Sequence, residues 1–135
     1  MRITLIALVA AAALASCSGV KTKTALTPGG SGALSARTGP VCLMAGGLPD
    51  GVQFTEIGRI HATKGTYGER ENLMLPMANE ARRVGADAII NLQADERFKG
   101  PLPWRFTAPT GDGVAVKIIG PDAALDCVGR GGRLL

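Results

Sequence analysis

The chain has 135 residues, enough for one small domain, and only 4% of them are aromatic. Its formal net charge of +4 and pI near 9.3 suggest a nucleic-acid binder at first sight. The cations lie mostly in the two flanks, however. Between positions 41 and 127 nine Lys and Arg stand against eleven Asp and Glu, a net of −2. Since no basic face interleaved with aromatics is visible there, we do not expect a nucleic-acid partner.

The N-terminus has the features of an export signal. Arg2 precedes an apolar run at residues 5–15, which is too short to span a bilayer, and residues 14–17 read Leu-Ala-Ser-Cys. This resembles the lipobox of bacterial lipoproteins, which implies that residues 1–16 are a signal peptide and that Cys17 carries the acyl chains. The alternatives are an ordinary secretory signal cleaved further along, or a short buried helix.

The residue after Cys17 bears on the destination of such a protein. Ser18 stands where an aspartate would resemble an inner-membrane retention signal. In a Gram-negative bacterium we therefore expect a protein held in the outer membrane by its lipid and facing the periplasm. Several acyl chains on one residue anchor a protein stably, whereas a single chain holds it only marginally.

Residues 17–40 are rich in Gly, Ser, Thr, Ala and Pro. Such a composition cannot bury a core, and it predicts a flexible tether with a reach of roughly 25 Å. At the other end, residues 128–135 are glycine-rich and basic and are expected to be disordered. A single folded domain is therefore predicted over residues 41–127.

Within this domain the pattern predicts a strand at 41–44 and a second strand at 53–62. Pro76 suits the first turn of a helix, which we expect to run to Val84 and end at Gly85. A core strand follows at 86–94, and Thr110-Gly111-Asp112-Gly113 is a hairpin signal between strands at 104–107 and 114–119. The order β-β-α-β-β-β predicts an α+β fold, a small, mostly antiparallel sheet with one helix packed on one face.

Few residues in the domain carry recognisable chemistry. Once Cys17 is assigned to lipid, Cys42 and Cys127 remain, and in an exported protein such a pair indicates a disulfide. Two separate thiols are the alternative. His61, the only histidine, is a candidate metal ligand together with these cysteines or with nearby carboxylates, but nothing in the spacing requires a site, and an exposed histidine is the simpler interpretation. No nucleophile arrangement is recognisable.

Three further features have ordinary structural interpretations. Glu69 and Glu71 could imitate an acid and base pair, yet they lie in a polar stretch and are expected to be solvated. The glycines beside Asp112 indicate a turn rather than a phosphate cradle, because no helix follows them. Trp104, the only tryptophan, is interpreted as a core aromatic or as a partly exposed contact residue.

Three short motifs carry a family resemblance over residues 41–119. They are Ile-Gly-Arg-Ile at 57–60, Arg-Val-Gly-Ala-Asp-Ala-Ile-Ile-Asn at 83–91 and Gly-Val-Ala-Val at 113–116. The domain resembles the YbjQ-like and RcsF-like domains of a superfamily described as heavy-metal-binding. The resemblance implies a small sheet with the helix on one face. RcsF-like domains carry two disulfides, one of them in the strand after the helix. That strand has no cysteine here, so one bridge is possible.

These observations lead to two functional hypotheses. The first is a non-enzymatic, lipid-anchored interaction module that binds another envelope protein, as the RcsF resemblance implies for envelope stress sensing. The second is a metal- or small-ligand-binding domain of the YbjQ type, with His61 at its site. Neither hypothesis requires a cofactor, and both leave the oligomeric state open.

Overall fold

A computed structural model describes residues 19–120 and 126–135 and shows an α+β fold, as predicted. One helix packs on a six-stranded sheet whose strand order is β1-β3-β5-β4-β2-β6. Every neighbouring pair is antiparallel except β2 and β4. The elements, in chain order, are β1 (Val20–Leu26), β2 (Cys42–Leu43), β3 (Gln53–Lys64), α1 (Glu71–Arg83), β4 (Ala88–Lys99), β5 (Phe106–Ile119) and β6 (Arg133–Leu134).

Helix α1 begins earlier than predicted. It starts at Glu71 and contains Pro76 as its sixth residue, past the first turn, so the hydrogen bond to the carbonyl of Asn72 that proline cannot donate is missing from the helix. The predicted end is correct. Gly85 has φ +82°, and a Cβ on it would lie 2.7 Å from the Cβ of Leu34. Glycine is required here for its backbone conformation and for its size.

The main core lies between α1 and the sheet. The helix contributes buried residues at helical spacing, Leu73, Met77 and Ala81 among them, and the strands contribute Ile60 and Ile89. A second cluster lies on the opposite face, hereafter the outer face. It is formed by residues of β2, β4 and β5 together with the disulfide region, namely Cys42, Met44, Ala88, Ile90, Val116, Ile118 and Cys127. The second cluster and the disulfide therefore occupy one end of the outer face, and the other end is exposed to solvent.

The prediction of a flexible tether over residues 17–40 is wrong for the part that the structure describes. Val20–Leu26 forms edge strand β1, paired with β3 along its whole length. Thr24 donates a hydrogen bond to Glu80 of α1, and the Leu34 amide donates to the carbonyl of Val84. Thr and Lys alternate from residue 21 to 24, a strand period that the small-residue composition of the wider segment obscured.

The prediction of a disordered tail over residues 128–135 is also wrong. Arg133–Leu134 pairs with β2, and Leu135 exchanges two backbone hydrogen bonds with Val41. Arg82 of α1 donates to the carbonyl of Leu135 at 2.8 Å. This two-residue strand, which follows two glycines, is stabilised here by its neighbours rather than by its own propensity.

The predicted hairpin is misplaced along the chain. β5 runs without a turn through Gly111 and Gly113, and the reversal lies at residues 100–105 instead. These glycines serve close packing: a Cβ on Gly113 would lie 2.4 Å from Cγ2 of Ile89, and one on Gly111 would lie 3.2 Å from Cδ1 of Leu73. β4 consequently extends beyond the predicted limit of residue 94, to Lys99.

Candidate functional site

The lipidation candidate Cys17 lies outside the described residues. The other two cysteines meet as the sequence indicates: Cys42 and Cys127 form a disulfide that joins positions 85 residues apart, with their Cα atoms 5.9 Å apart. Cys42 is 2% exposed and Cys127 is 7% exposed, so the bridge is enclosed in the second cluster. Its role in the fold is to fasten the C-terminal segment to the sheet.

A shallow pocket of about 330 Å³ adjoins this disulfide, and Asp87 lies in its wall. The Asp87 carboxylate accepts hydrogen bonds from the Lys117 ammonium at 3.1 Å and from the Ile118 amide at 2.9 Å, and it lies 2.7 Å from the Arg37 guanidinium. Its oxygens are therefore fully engaged with two cations and an amide. This arrangement clamps the residue 37 loop to β5.

The open half of the outer face carries exposed positive charge. Lys21 and Lys23 of β1 and Arg59 of β3 are exposed there, and we call these three residues the basic strip. The register places Lys23 opposite His61 and places Ala25 opposite Arg59, so directly paired side chains share this face. Within the described residues, none of the three cations forms an ion pair.

His61 lies beside the basic strip and contacts β5. Its Nδ1 is 2.8 Å from Oδ1 of Asp112, its cross-strand partner, and about half of each side chain stays exposed. The cysteines considered as its companions do not join it, because Cys42 and Cys127 are bonded to each other. Across the parts of the chain that the structure describes, no three His, Cys, Asp or Glu side chains are grouped to hold a metal ion.

Glu80 of α1 fastens edge strand β1 to the helix from the other side. Its carboxylate accepts hydrogen bonds from the Arg83 guanidinium at 2.7 and 2.9 Å and from the Thr24 hydroxyl at 2.6 Å. The bond from Arg83 lowers the pKa of Glu80, with a smaller contribution from Thr24, and this lowering outweighs the opposing effect of burial. The basic strip is therefore held on a well-supported strand.

A second unusual surface is the end of the β4–β5 hairpin, residues 97–106, which we call the hairpin tip. Phe98, Leu102 and Trp104 are 75–77% exposed there. The prediction that Trp104 could be a core aromatic is wrong. The breakers that flank it, Gly100, Pro101 and Pro103, were the available signal that it lies on a turn.

Comparison with known proteins adds no identification. The chain matches no family model, no curated protein and no solved structure. The only helix among the described residues lacks the length and the apolar character of a membrane-spanning segment. The resemblance to YbjQ-like and RcsF-like domains thus stays a prediction from the three sequence motifs.

Proposed function

We propose that this protein is a lipid-anchored module of the bacterial cell envelope that binds another envelope protein and performs no reaction of its own. The observation that supports this proposal best is the basic strip. Three exposed cations on two neighbouring strands, without acidic partners in the described residues, form a surface complementary to acidic groups on another molecule.

The geometry of this surface suits a protein partner better than a small substrate. Lys21 and Lys23 are two residues apart on one strand, so their Cα atoms are separated by about 7 Å, and neighbouring strands lie about 5 Å apart. The strip is therefore flat and extended, whereas small-molecule sites are concave and mostly apolar. β1 is also an edge strand of the sheet, so the strip lies at the border of its face.

The anchor and the location form the second part of the proposal. They rest on the lipobox-like residues 14–17 and on Ser18, which favour acylation of Cys17 and an outer-membrane location facing the periplasm. The resemblance to RcsF-like domains extends the proposal to envelope stress sensing, in which the partner would change with the state of the envelope.

Photo-crosslinking in living cells tests the partner directly. A photoreactive residue at His61, beside the basic strip, should give a discrete protein adduct, whereas one at Leu75, exposed on α1, should not. The double substitution Lys23→Glu with Arg59→Glu should abolish the adduct at His61. The matched control is Arg130→Glu, which reverses an exposed cation in the C-terminal segment and should leave the adduct intact.

The same experiment in stressed and unstressed cells tests the sensing role. A change of partner, or of adduct yield, between the two conditions would support it. An adduct that survives Lys23→Glu with Arg59→Glu would contradict a role for the basic strip. The absence of any position-dependent adduct in either condition would contradict the interaction proposal itself.

The His61–Asp112 contact favours a second candidate function, metal or small-ligand binding of the YbjQ type. A carboxylate hydrogen-bonded to a ring nitrogen orients a histidine in many metal sites, and half of this histidine is accessible. Calorimetry of the protein with Zn²⁺, Cu²⁺ and Ni²⁺ tests this candidate, with His61→Ala as the control. Heat that disappears in His61→Ala would support it, and no heat at micromolar metal would remove it.

A further inference from the structure

The hairpin tip projects from one end of the sheet. The last pairing of β3 with β5 joins Thr63 to Thr110, and Thr110 also pairs with Asp95 of β4. Four more residue pairs of β4 and β5 follow beyond that level, up to the pair of Lys99 and Phe106. At about 3.3 Å per residue these pairs extend roughly 13 Å past the level of Thr63, before the turn itself. The Gly68 amide donates a hydrogen bond to the carbonyl of Thr107, so the segment after β3 lies beside the first part of this ribbon and the tip projects beyond it.

The tip has the composition of a surface that enters a bilayer interface. Its apolar members are the exposed Phe98, Leu102 and Trp104. Arg97, Lys99 and Arg105 lie among them, no acidic residue occurs between positions 97 and 106, and none of these three cations has an ion pair within the described residues. Aromatic side chains beside Lys and Arg favour the headgroup region, above all where the lipids are anionic.

The N-terminal end of β1 lies at the same end of the sheet. Val20 pairs with Lys64, one residue beyond the last β3–β5 pair, because β1 and β3 are antiparallel. Cys17 precedes Val20 by three residues, which span at most about 10 Å of extended chain. The lipid on Cys17 and the hairpin tip can therefore reach the same plane, about 13 Å beyond the level of Thr63.

We infer that the hairpin tip is a second membrane contact, which inserts Phe98, Leu102 and Trp104 into the interface of an anionic lipid leaflet, the same leaflet that holds Cys17. The inference rests on the proposed lipid anchor. The anchor and the tip together fix the orientation of the domain, with its strands steeply inclined to the membrane and the basic strip facing sideways, where a neighbouring envelope protein can reach it.

Trp104 is the only tryptophan of the chain, so its fluorescence reports on the tip alone. The experiment uses the full chain, purified from bacterial membranes and reconstituted in vesicles of phosphatidylethanolamine and phosphatidylglycerol. Flotation with the vesicles reports the anchor, and it should be lost in Cys17→Ala. Quenching of Trp104 by lipids brominated on their acyl chains, with protection from aqueous acrylamide, reports insertion of the tip.

Removal of the tip cations should weaken insertion. The triple variant Arg97→Gln, Lys99→Gln, Arg105→Gln should lower the ratio of inserted to free tip about a hundredfold, since each basic residue near an anionic surface contributes roughly a fivefold factor. The matched control removes three cations elsewhere, by replacing the basic strip residues Lys21, Lys23 and Arg59 with Gln. That control should retain full quenching of Trp104 by brominated lipid.

The outcomes separate the anchor from the tip. Protein that floats with the vesicles while Trp104 stays open to acrylamide would overturn the inference and leave the anchor standing. If Trp104 were protected from acrylamide but not quenched by brominated lipid, the tip would be assigned to a contact with a second copy of the chain. This result would also overturn the inference. Wild-type protein that stays in solution would overturn both proposals.

Discussion

The disulfide between Cys42 and Cys127 should supply a large share of the stability of this domain. It closes a loop over a sequence separation of 85 residues. In the chain-entropy model a loop of this length contributes about 4–5 kcal/mol, by reducing the freedom of the unfolded chain. A domain of this size has a total unfolding free energy of about 5–15 kcal/mol, so the loss of the bridge would leave it close to unfolding.

The test compares Cys42→Ala, Cys127→Ala and the double variant by urea unfolding. Circular dichroism is the appropriate signal, because the only tryptophan, Trp104, is exposed on the hairpin tip and responds little to unfolding. Each variant should lose about 4 kcal/mol of unfolding free energy. The slope of its unfolding free energy against urea concentration should become steeper, because an unbridged chain exposes more surface when it unfolds. The double variant should lose scarcely more than either single variant, since one bond is broken in all three.

Two results would refute this reasoning. If the double variant lost less than about 1 kcal/mol, the bridge would be a by-product of a fold that is stable without it. If the losses of the single variants added up in the double variant, the effect would come from packing of the two side chains in the second cluster rather than from loop closure.

Three further substitutions have defined expected outcomes. In Gly58→Ala the new Cβ would lie 2.4 Å from the carbonyl oxygen of Ala25, so β1 should separate from β3; faster hydrogen exchange of the β1 amides would show this, and unchanged exchange would contradict it. Because the Arg83 hydrogen bond lowers the pKa of Glu80, the unfolded state binds more protons between the lowered pKa and the ordinary value of 4.5. The ionised Glu80 therefore stabilises the folded state above pH 4.5, and this stabilisation is lost as the pH falls through the lowered pKa. Glu80→Gln should reduce the fall in unfolding free energy at acidic pH. An unchanged fall would assign the pH dependence to other carboxylates. Asp87→Ala should lower the free energy of unfolding, measured with urea, by about 2–3 kcal/mol, because it leaves the buried Ile118 amide without an acceptor. Asp87→Asn retains an acceptor oxygen and should lower it by less. Equal losses in the two variants would contradict the role of Asp87 as a clamp.

The sequence predicted the parts of the fold that carry a strong local signal. The apolar stripe of α1, its stop at Gly85 and the buried strand that follows depend on spacing and on one special residue, and all of them are present in the structure. The disulfide followed from the number of cysteines and the expected compartment. The α+β class followed from the order of these elements.

The errors share a physical cause, which is that neighbours can impose structure on a segment with no preference of its own. β1 and β6 are edge strands of polar or glycine-rich sequence, and each is formed because β3 or β2 offers an unpaired edge. Gly111 and Gly113 indicated a turn when considered alone. In the sheet they are the positions where Leu73 and Ile89 approach the β5 backbone, a long-range contact that no local pattern contains.

The basic strip could not be anticipated for the same reason. Its lysines lie in the segment taken for a tether, and Arg59 lies elsewhere in the chain; only the β1–β3 register brings them together. The hairpin tip was closer to prediction. Gly100, Pro101 and Pro103 indicate a turn there, but the strand that precedes them was expected to end at residue 94, five residues too early, which concealed how far the tip projects.

If Cys17 carries the proposed lipid, the early start of β1 sets the distance over which the domain can search for a partner. Only Ser18 and Gly19 separate Cys17 from the first residue of the sheet. A domain on so short a connection stays at the membrane surface, and a partner held at the same surface meets it at an effective concentration of about millimolar. A weak intrinsic affinity is then sufficient for a membrane-bound partner. A freely diffusing protein would gain no such advantage, so the length of the proposed connection would itself select partners that share the membrane.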